Sequence, residues 1–276
     1  MIGGAVVCDS QVHAPDRPSS VHVKGIDADE LLRRMDEARV DRCVIVPLAA
    51  PLPDVSTNND ASLEIARRHP DRFAVMGRFD LTRPENVKLL AAWRSTPEML
   101  GIRLSFARGR HRELLERGEL GWFWSGAERA GVPLMLLVPD LLPLAGEIAR
   151  RHPALRIVID HMGLTPYVVY DDVMPALPPL LDLARYPNVA VKASALPDSV
   201  RDAYPFRSLH EPLRAVVEAF GHRRVFWGSD LTRLTVPYDE CVGLFARELP
   251  FLSSEAREWI LGRGVMEWIQ WSTRPS

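Results

Sequence analysis

The chain has 276 residues, 34 Lys and Arg against 36 Asp and Glu, 47% hydrophobic residues and three cysteines. A chain of this length can bury a sizeable core without staples, and a net charge of −2 with both signs interspersed excludes a nucleic-acid surface. No apolar run approaches the roughly 18 residues of a membrane span, and Cys8, Cys43 and Cys241 stand too far apart for a zinc finger or a disulfide framework. The first residues lack the basic flank and apolar core of a secretory signal, so a cytoplasmic protein with reduced thiols is expected.

Short, β-branched apolar runs bounded by breakers recur along the whole chain and read as strands, and the segments between them carry helical periodicity. The first run, 5–8, is followed by Asp9-Ser10-Gln11-Val12-His13 and a helix over 29–38. The second, 43–48, leads to Asn58-Asn59-Asp60 and a helix over 61–68. Asn59 can cap that helix or face a site. The third run, 73–76, follows Arg67-Arg68-His69-Pro70, a basic last helical turn stopped by proline. After a helix over 86–93 comes the fourth run, 101–104, which carries Arg103. Trp122-Phe123-Trp124 reads as a helix packing face. The fifth run, 132–138, and a helix over 142–151 precede another Arg-Arg-His-Pro joint and the sixth run, 155–159, which ends in Asp160-His161-Met162-Gly163. A helix over 173–184 leads to the seventh run, 189–191, ending in Lys192-Ala193-Ser194. A helix over 209–220, stopped by Gly221, leads to the eighth, 225–227, ending in Gly228-Ser229-Asp230. A tail helix over 255–270 is expected to pack outside the rest.

Repeated strand–helix units imply parallel strands joined by right-handed crossovers. Eight of them, with no glycine- or serine-rich linker, predict an α/β protein: a single (β/α)8 barrel domain over 1–276 with an extra C-terminal helix. In such a barrel the site is built at the C-terminal ends of the strands. That rule selects Gln11, His13, Arg103, His161, Lys192, Ser194, Asp230 and, from the second loop, Asn59. His13, His161 and Asp230 make two imidazoles and a carboxylate. They can hold one divalent metal ion, zinc or manganese, or orient and deprotonate water without one. Arg103 needs a partner, either a substrate carboxylate or an internal acid. His69 and His152 fall on the opposite rim, whereas His22 and His210 can line the mouth. No Gly-x-Ser-x-Gly elbow, P-loop or dinucleotide fingerprint occurs.

The runs Asp9-Ser10-Gln11-Val12-His13, Ile159-Asp160-His161-Met162-Gly163, Val191-Lys192-Ala193-Ser194 and Trp227-Gly228-Ser229-Asp230 together resemble the amidohydrolase-related family. Gly101-Ile102-Arg103 and the Asn59 loop fit the same pattern. The resemblance implies a distorted (β/α)8 barrel and an activity like that of the 2-pyrone-4,6-dicarboxylate lactonase and sugar lactonase branch. It also implies roles. Asp230 would be the general base on water, and His13 and His161 would polarise the carbonyl or hold a metal. Arg103, with Gln11, Lys192, Ser194 and Asn59, would contact an anionic small-molecule substrate. This chain departs from the pattern at Gln11, where the family usually carries histidine, or glutamate in its decarboxylase branch. No lysine ends the fourth strand and Val138 ends the fifth, which argues against two metals. A site with one ion and a metal-independent site both stay open. So do a metal-dependent decarboxylase, a non-catalytic ligand-binding barrel, and a homo-oligomer.

Overall fold

The computed structural model describes residues 4–15, 25–48 and 59–272. Its strands are β1 (Cys8–Val12), β2 (Arg42–Ile45), β3 (Phe73–Gly77), β4 (Met99–Ser105), β5 (Leu134–Leu137), β6 (Ile157–Ile159), β7 (Val189–Ser194) and β8 (Val225–Gly228). Each pairs in parallel with the next in chain order. The helices are α1 (Ala28–Ala38), α2 (Asp60–Arg68), α3 (Val87–Leu90), α4 (Arg110–Glu116), α5 (Gly121–Ala130), α6 (Leu142–Arg151), α7 (Pro178–Leu181), α8 (His210–Phe220), α9 (Tyr238–Gly243), α10 (Ser254–Glu258) and α11 (Gly264–Trp268). With helices between successive parallel strands, the architecture is the expected (β/α)8 barrel. None of the described helices is long and apolar enough to cross a membrane.

The seam between β8 and β1 is sewn largely by side chains. The Asp9 carboxylate accepts from the backbone N–H groups of Gln11 (3.0 Å) and Ser229 (2.9 Å), from the Ser229 hydroxyl, and from the Tyr238 hydroxyl at 2.7 Å. One backbone bond, Asp230 N–H to the Gln11 carbonyl at 3.0 Å, adds to it. Burial pushes the Asp9 carboxyl above its ordinary range, and these donors pull it part of the way back.

Two apolar layers result. Residues on the outer face of the strands pack under the helices. On the inner face Cys8, Val44, Ala74, Met76, Met135, Val158, Ala190 and Phe226 form a second cluster, together with Val265, Ile269 and Trp271 from the end of the chain. The tail therefore does not pack outside the barrel as expected; it closes its N-terminal end. Gly262 makes this possible, since a Cβ there would lie 2.3 Å from the Val6 carbonyl oxygen. The tail is also interrupted, α10 and α11 being joined by a wider π turn over Trp259–Arg263.

Several strand ends shift by a few residues, and three larger departures from the sequence reading stand out. β1 spans Cys8–Val12, so Asp9, Ser10 and Gln11 lie on the strand and not after it. Pro175, Pro178 and Pro179 break the 173–184 helix into α7 and two flanking 3-10 turns, because proline removes donors and clashes with the preceding turn. The 86–93 helix shrinks to α3 between 3-10 turns. Phe123 and Trp124 are buried on α5, and the Phe123 ring packs at a tilt against Phe79, as a packing face should.

Candidate active site

Side chains of successive inner-face positions climb each strand to the mouth. On β3 the inner cluster holds Ala74 and Met76, which puts Arg78 next on that face; on β6 Val158 leads to Asp160, and on β7 Ala190 leads to Lys192 and Ser194. β1 needs a correction of phase. Cys8 faces inward, and the pairing with β2 shifts between Asp9 and Val12, so that Gln11 and His13 also reach the interior. Such an extra residue beside a site re-aims the side chains after it. Three strand ends turn through left-handed backbone at His161 (φ 51°), Ala195 (φ 57°) and Asp230 (φ 55°). For non-glycine residues this costs about 1–2 kcal/mol each, and such strain gathers where side chains must be aimed.

His13, His161 and Asp230 meet there. His13 Nδ1 donates to the Val46 carbonyl at 2.8 Å, leaving its Nε2 3.2 Å from Asp230 Oδ1. The approach is not an aligned hydrogen bond, and Oδ1 is buried without a hydrogen-bond partner among the described residues. Asp230 Oδ2 lies 3.8 Å from His161 Nε2 and accepts from the Arg233 guanidinium at 3.2 Å. Burial would raise the Asp230 carboxyl, but His13, His161 and Arg233 outweigh it and hold the group far below the usual carboxylate range. Arg233 in turn lies over the Tyr167 ring at 4.3 Å.

Behind this trio lies a buried polar chain whose directions can be assigned. The Lys192 ammonium can only donate; it donates to the Gln11 side-chain oxygen and pairs electrostatically with Asp160 Oδ1 at 2.7 Å. With its oxygen on Lys192, Gln11 must present its NH2 to His161 Nε2, 3.4 Å away. His161 Nε2 is then the acceptor, and the proton sits on Nδ1, which donates to Ser194 Oγ at 2.9 Å. The imidazole is thus neutral, in keeping with burial pushing its pKa down to about 4. Arg103 Nε bonds the other Asp160 oxygen at 3.0 Å. Burial works against Asp160 ionising, but Lys192 and Arg103 more than offset it and keep the group below its ordinary value. Burial also draws Lys192 downward.

All of the sequence candidates except Asn59 and Arg103 thus make contacts within one group around Asp230, and Arg103 joins it through Asp160. Asn59 does not cap α2: it makes no side-chain bond to that helix and instead brackets Arg78, accepting from its N–H at 2.8 Å and donating to its carbonyl at 3.2 Å. His69 ends α2, and His152, after α6, binds Glu128 at 2.9 Å, both on the far rim. His210 bonds the Pro205 carbonyl at 3.0 Å. His22 and Asn58 lie outside the described residues. Arg78, Arg233 and Tyr167 were not singled out by sequence. Arg78 carried a usable signal, an arginine two positions beyond an inward methionine at a strand end. A surface cleft lined by Val6, Arg39, Asp41 and Arg72 lies at the other end of the strands and includes none of the candidates.

The donor chemistry of the trio suits one divalent ion and not two. His13 Nε2 and Asp230 Oδ1 are electron-pair donors facing each other, and His13 Nδ1 is anchored on a carbonyl as metal-binding histidines commonly are. His161 is the third donor by position, but its Nε2 is turned toward the Gln11 amide, and among the described residues no three His, Cys, Asp or Glu side chains are set to hold a metal ion as they stand. Ser105 ends β4 and Val138 follows β5, so no second set of ligands exists at those strand ends.

A sequence profile of the amidohydrolase family matches residues 9–263, from β1 into the helical floor. The chain belongs to the amidohydrolase family. Over 206 residues it is 29% identical to an L-fucono-1,5-lactonase of Burkholderia multivorans, covering 67% of each chain. Among solved structures it resembles an amidohydrolase from Burkholderia multivorans with bound zinc, at TM-score 0.79 and 24% identity, covering 96% of this chain and 99% of that one. It also resembles a probable 2-pyrone-4,6-dicarboxylic acid hydrolase from Acinetobacter baumannii with citric acid bound, at TM-score 0.74 and 16% identity with the same coverage. At these identities the structural likeness is one of fold. Within this amidohydrolase the mouth of the barrel is the place to look for chemistry.

Proposed function

We propose that this amidohydrolase opens a lactone or related cyclic ester of a small carboxylated compound by adding water to its carbonyl. The observation that carries the reading is Asp230 Oδ1, a buried carboxylate oxygen with unspent acceptor capacity, set between two imidazoles at the mouth of the barrel. The kinship with a lactonase supports the choice of bond.

In this reading a water molecule donates a hydrogen bond to Asp230 Oδ1 while its oxygen attacks the ring carbonyl carbon. The proton passes to Asp230, and the carbonyl oxygen takes the negative charge, which the Lys192 and Arg233 cations at the mouth stabilise. The carbon–oxygen bond of the ring then breaks, and the leaving oxygen takes the proton from Asp230 to give a hydroxy acid. A carboxyl held this far below its ordinary range is a weak base but, once protonated, a strong acid. Its position therefore serves the first step and its acidity the second. His161, fixed as a neutral acceptor by Gln11 and Ser194, keeps a second positive charge away from the nucleophile. Where a divalent ion is bound, His13, His161 and Asp230 would hold it, and it would supply Lewis-acid polarisation and a more acidic water. The amide at Gln11 weighs against the decarboxylase reading, which needs a firmly held ion.

The test is Asp230→Asn against a panel of sugar and pyrone lactones, with the fold checked by circular dichroism. Loss of a positioned general base costs about 10²–10⁴-fold, so kcat/KM should drop by at least a hundredfold. Unchanged turnover would remove Asp230 from the mechanism. Metal analysis of the purified protein, and activity before and after chelation, decide whether an ion takes part.

A further inference from the structure

Arg78 follows the last residue of β3, on the face that Ala74 and Met76 turn inward. The pairing of Gly77 with Ile102 sets it beside Arg103 on the neighbouring strand. Parallel neighbours in register present their side chains on the same side of the sheet, so two guanidinium groups stand together at one edge of the mouth. Like charges placed side by side repel, and both groups are half-buried.

Their hydrogen-bonding capacity is mostly unspent. Arg103 uses only Nε, on Asp160, and its two terminal nitrogens have no protein partner among the described residues. The Arg78 guanidinium has neither a hydrogen-bond nor an ion-pair partner among them. The nearby acids are committed elsewhere: Asp160 to Lys192 and Arg103, Asp230 to Arg233, and Asp80 to Thr82 and Arg83. His111, beside them, accepts the Leu81 N–H at 3.4 Å, and burial favours its neutral form. Among the described residues the inner mouth thus carries four cations, Arg78, Arg103, Lys192 and Arg233, against the two carboxylates of Asp160 and Asp230.

The backbone of Arg78 is also held on purpose. Asn59 gives up its place as the cap of α2 to bond both the N–H and the C=O of Arg78. An asparagine spent in this way fixes where the arginine leaves the strand.

We propose that Arg78 and Arg103 form a two-guanidinium cradle for a carboxylate of the substrate, with Asn59 as the residue that positions Arg78. Planar, paired N–H donors match a carboxylate in a way that a lysine does not. The acid group then lies on the β3–β4 side of the mouth, with the bond to be broken near Asp230. That second clause rests on the lactonase reading; the cradle itself does not.

The experiment is titration calorimetry of the whole protein with isophthalate, benzoate and benzamide, none of which is a lactone. Isophthalate and benzoate should bind at least tenfold more tightly than benzamide. Arg78→Gln should abolish that preference, and Arg78→Lys should restore part of it. Asn59→Ala, with Arg78 intact, should weaken benzoate several-fold without changing the affinity for benzamide. In turnover, Arg78→Gln should lower the ratio of kcat/KM for a carboxylated lactone over a neutral sugar lactone at least tenfold, mainly through KM. Equal binding of benzoate and benzamide, or a folded Arg78→Gln variant with the wild-type preference, overturns the cradle. If no lactone is opened but benzoate binding still depends on Arg78, the lactonase reading fails and the cradle stands.

Discussion

Replacing Asp160 with asparagine keeps the size of the side chain and removes one charge from the polar chain behind the site. Asp160 and Lys192 are both fully buried and meet at 2.7 Å, so no water screens the pair or replaces it. After the change Lys192 keeps only the Gln11 oxygen and the Met135 sulfur, and Arg103 loses the carboxylate on its Nε. Removing one partner of a buried ion pair costs about 3–5 kcal/mol, and two stranded cations put this case toward the upper end. At roughly 2–4 °C per kcal/mol for a domain of this size, Tm should fall by about 6–20 °C. Urea unfolding followed by circular dichroism gives the free energy directly. The cost arises from the stranded ammonium, so adding Lys192→Met should recover a large part of it. The pH dependence has a definite sign. Asp160 is held below its ordinary value in the fold, so its contribution is present above the unfolded pKa of about 3.9 and lost as the pH falls through the folded value. Asp160→Asn should lack that acid-side loss. A single variant within about 1 kcal/mol of wild type, or a double variant no better than the single, would refute this account of the network.

Other outcomes follow from the same structure. His161 is neutral in the fold, its pKa lowered to about 4 from 6.5. Between those values the unfolded chain binds a proton that the fold refuses. Stability should therefore drop by about 2 kcal/mol from pH 7 to pH 5, and His161→Gln should flatten that slope in urea midpoints taken at the two pH values. Tyr238→Phe removes one donor from the buried Asp9 carboxylate and should cost about 1.5–3 kcal/mol in the same assay, with little change in any lactone KM. Gly262→Ala drives a Cβ into the Val6 carbonyl, so Tm should fall even though alanine favours helix by about 1 kcal/mol. A rise in Tm would show that the tail does not seat against β1.

The barrel was legible because proline and glycine punctuate the chain and the apolar runs between them are too short for helices. The basic Arg67-Arg68-His69-Pro70 and Arg150-Arg151-His152-Pro153 joints marked one rim, which placed His161 and Asp230 on the other. The first strand was misplaced because Asp9, Ser10 and Gln11 look like a loop. They are tolerated on β1 only because Ser229, Tyr238 and Lys192, all far away in sequence, satisfy them. The same distance hid the ion pair of Lys192 with Asp160 and the bracket of Asn59 around Arg78, since spacing along the chain records neither. The periodicity of the tail helix showed that one of its faces was apolar. That the face covers the end of the barrel and not its flank depends on the ring of Cys8, Val44, Ala74 and Phe226 that it meets, which exists only once the strands have closed.

That floor has a consequence for synthesis on the ribosome. The strands emerge in the order in which they pair, so the sheet can assemble as it is made, and β8 is complete by Gly228. Val265, Ile269 and Trp271 come some forty residues later. Until then the inner ring of apolar side chains faces water at its N-terminal end, a sticky opening on an otherwise finished sheet. Only when that segment has emerged and seated against the strands does the interior become dry.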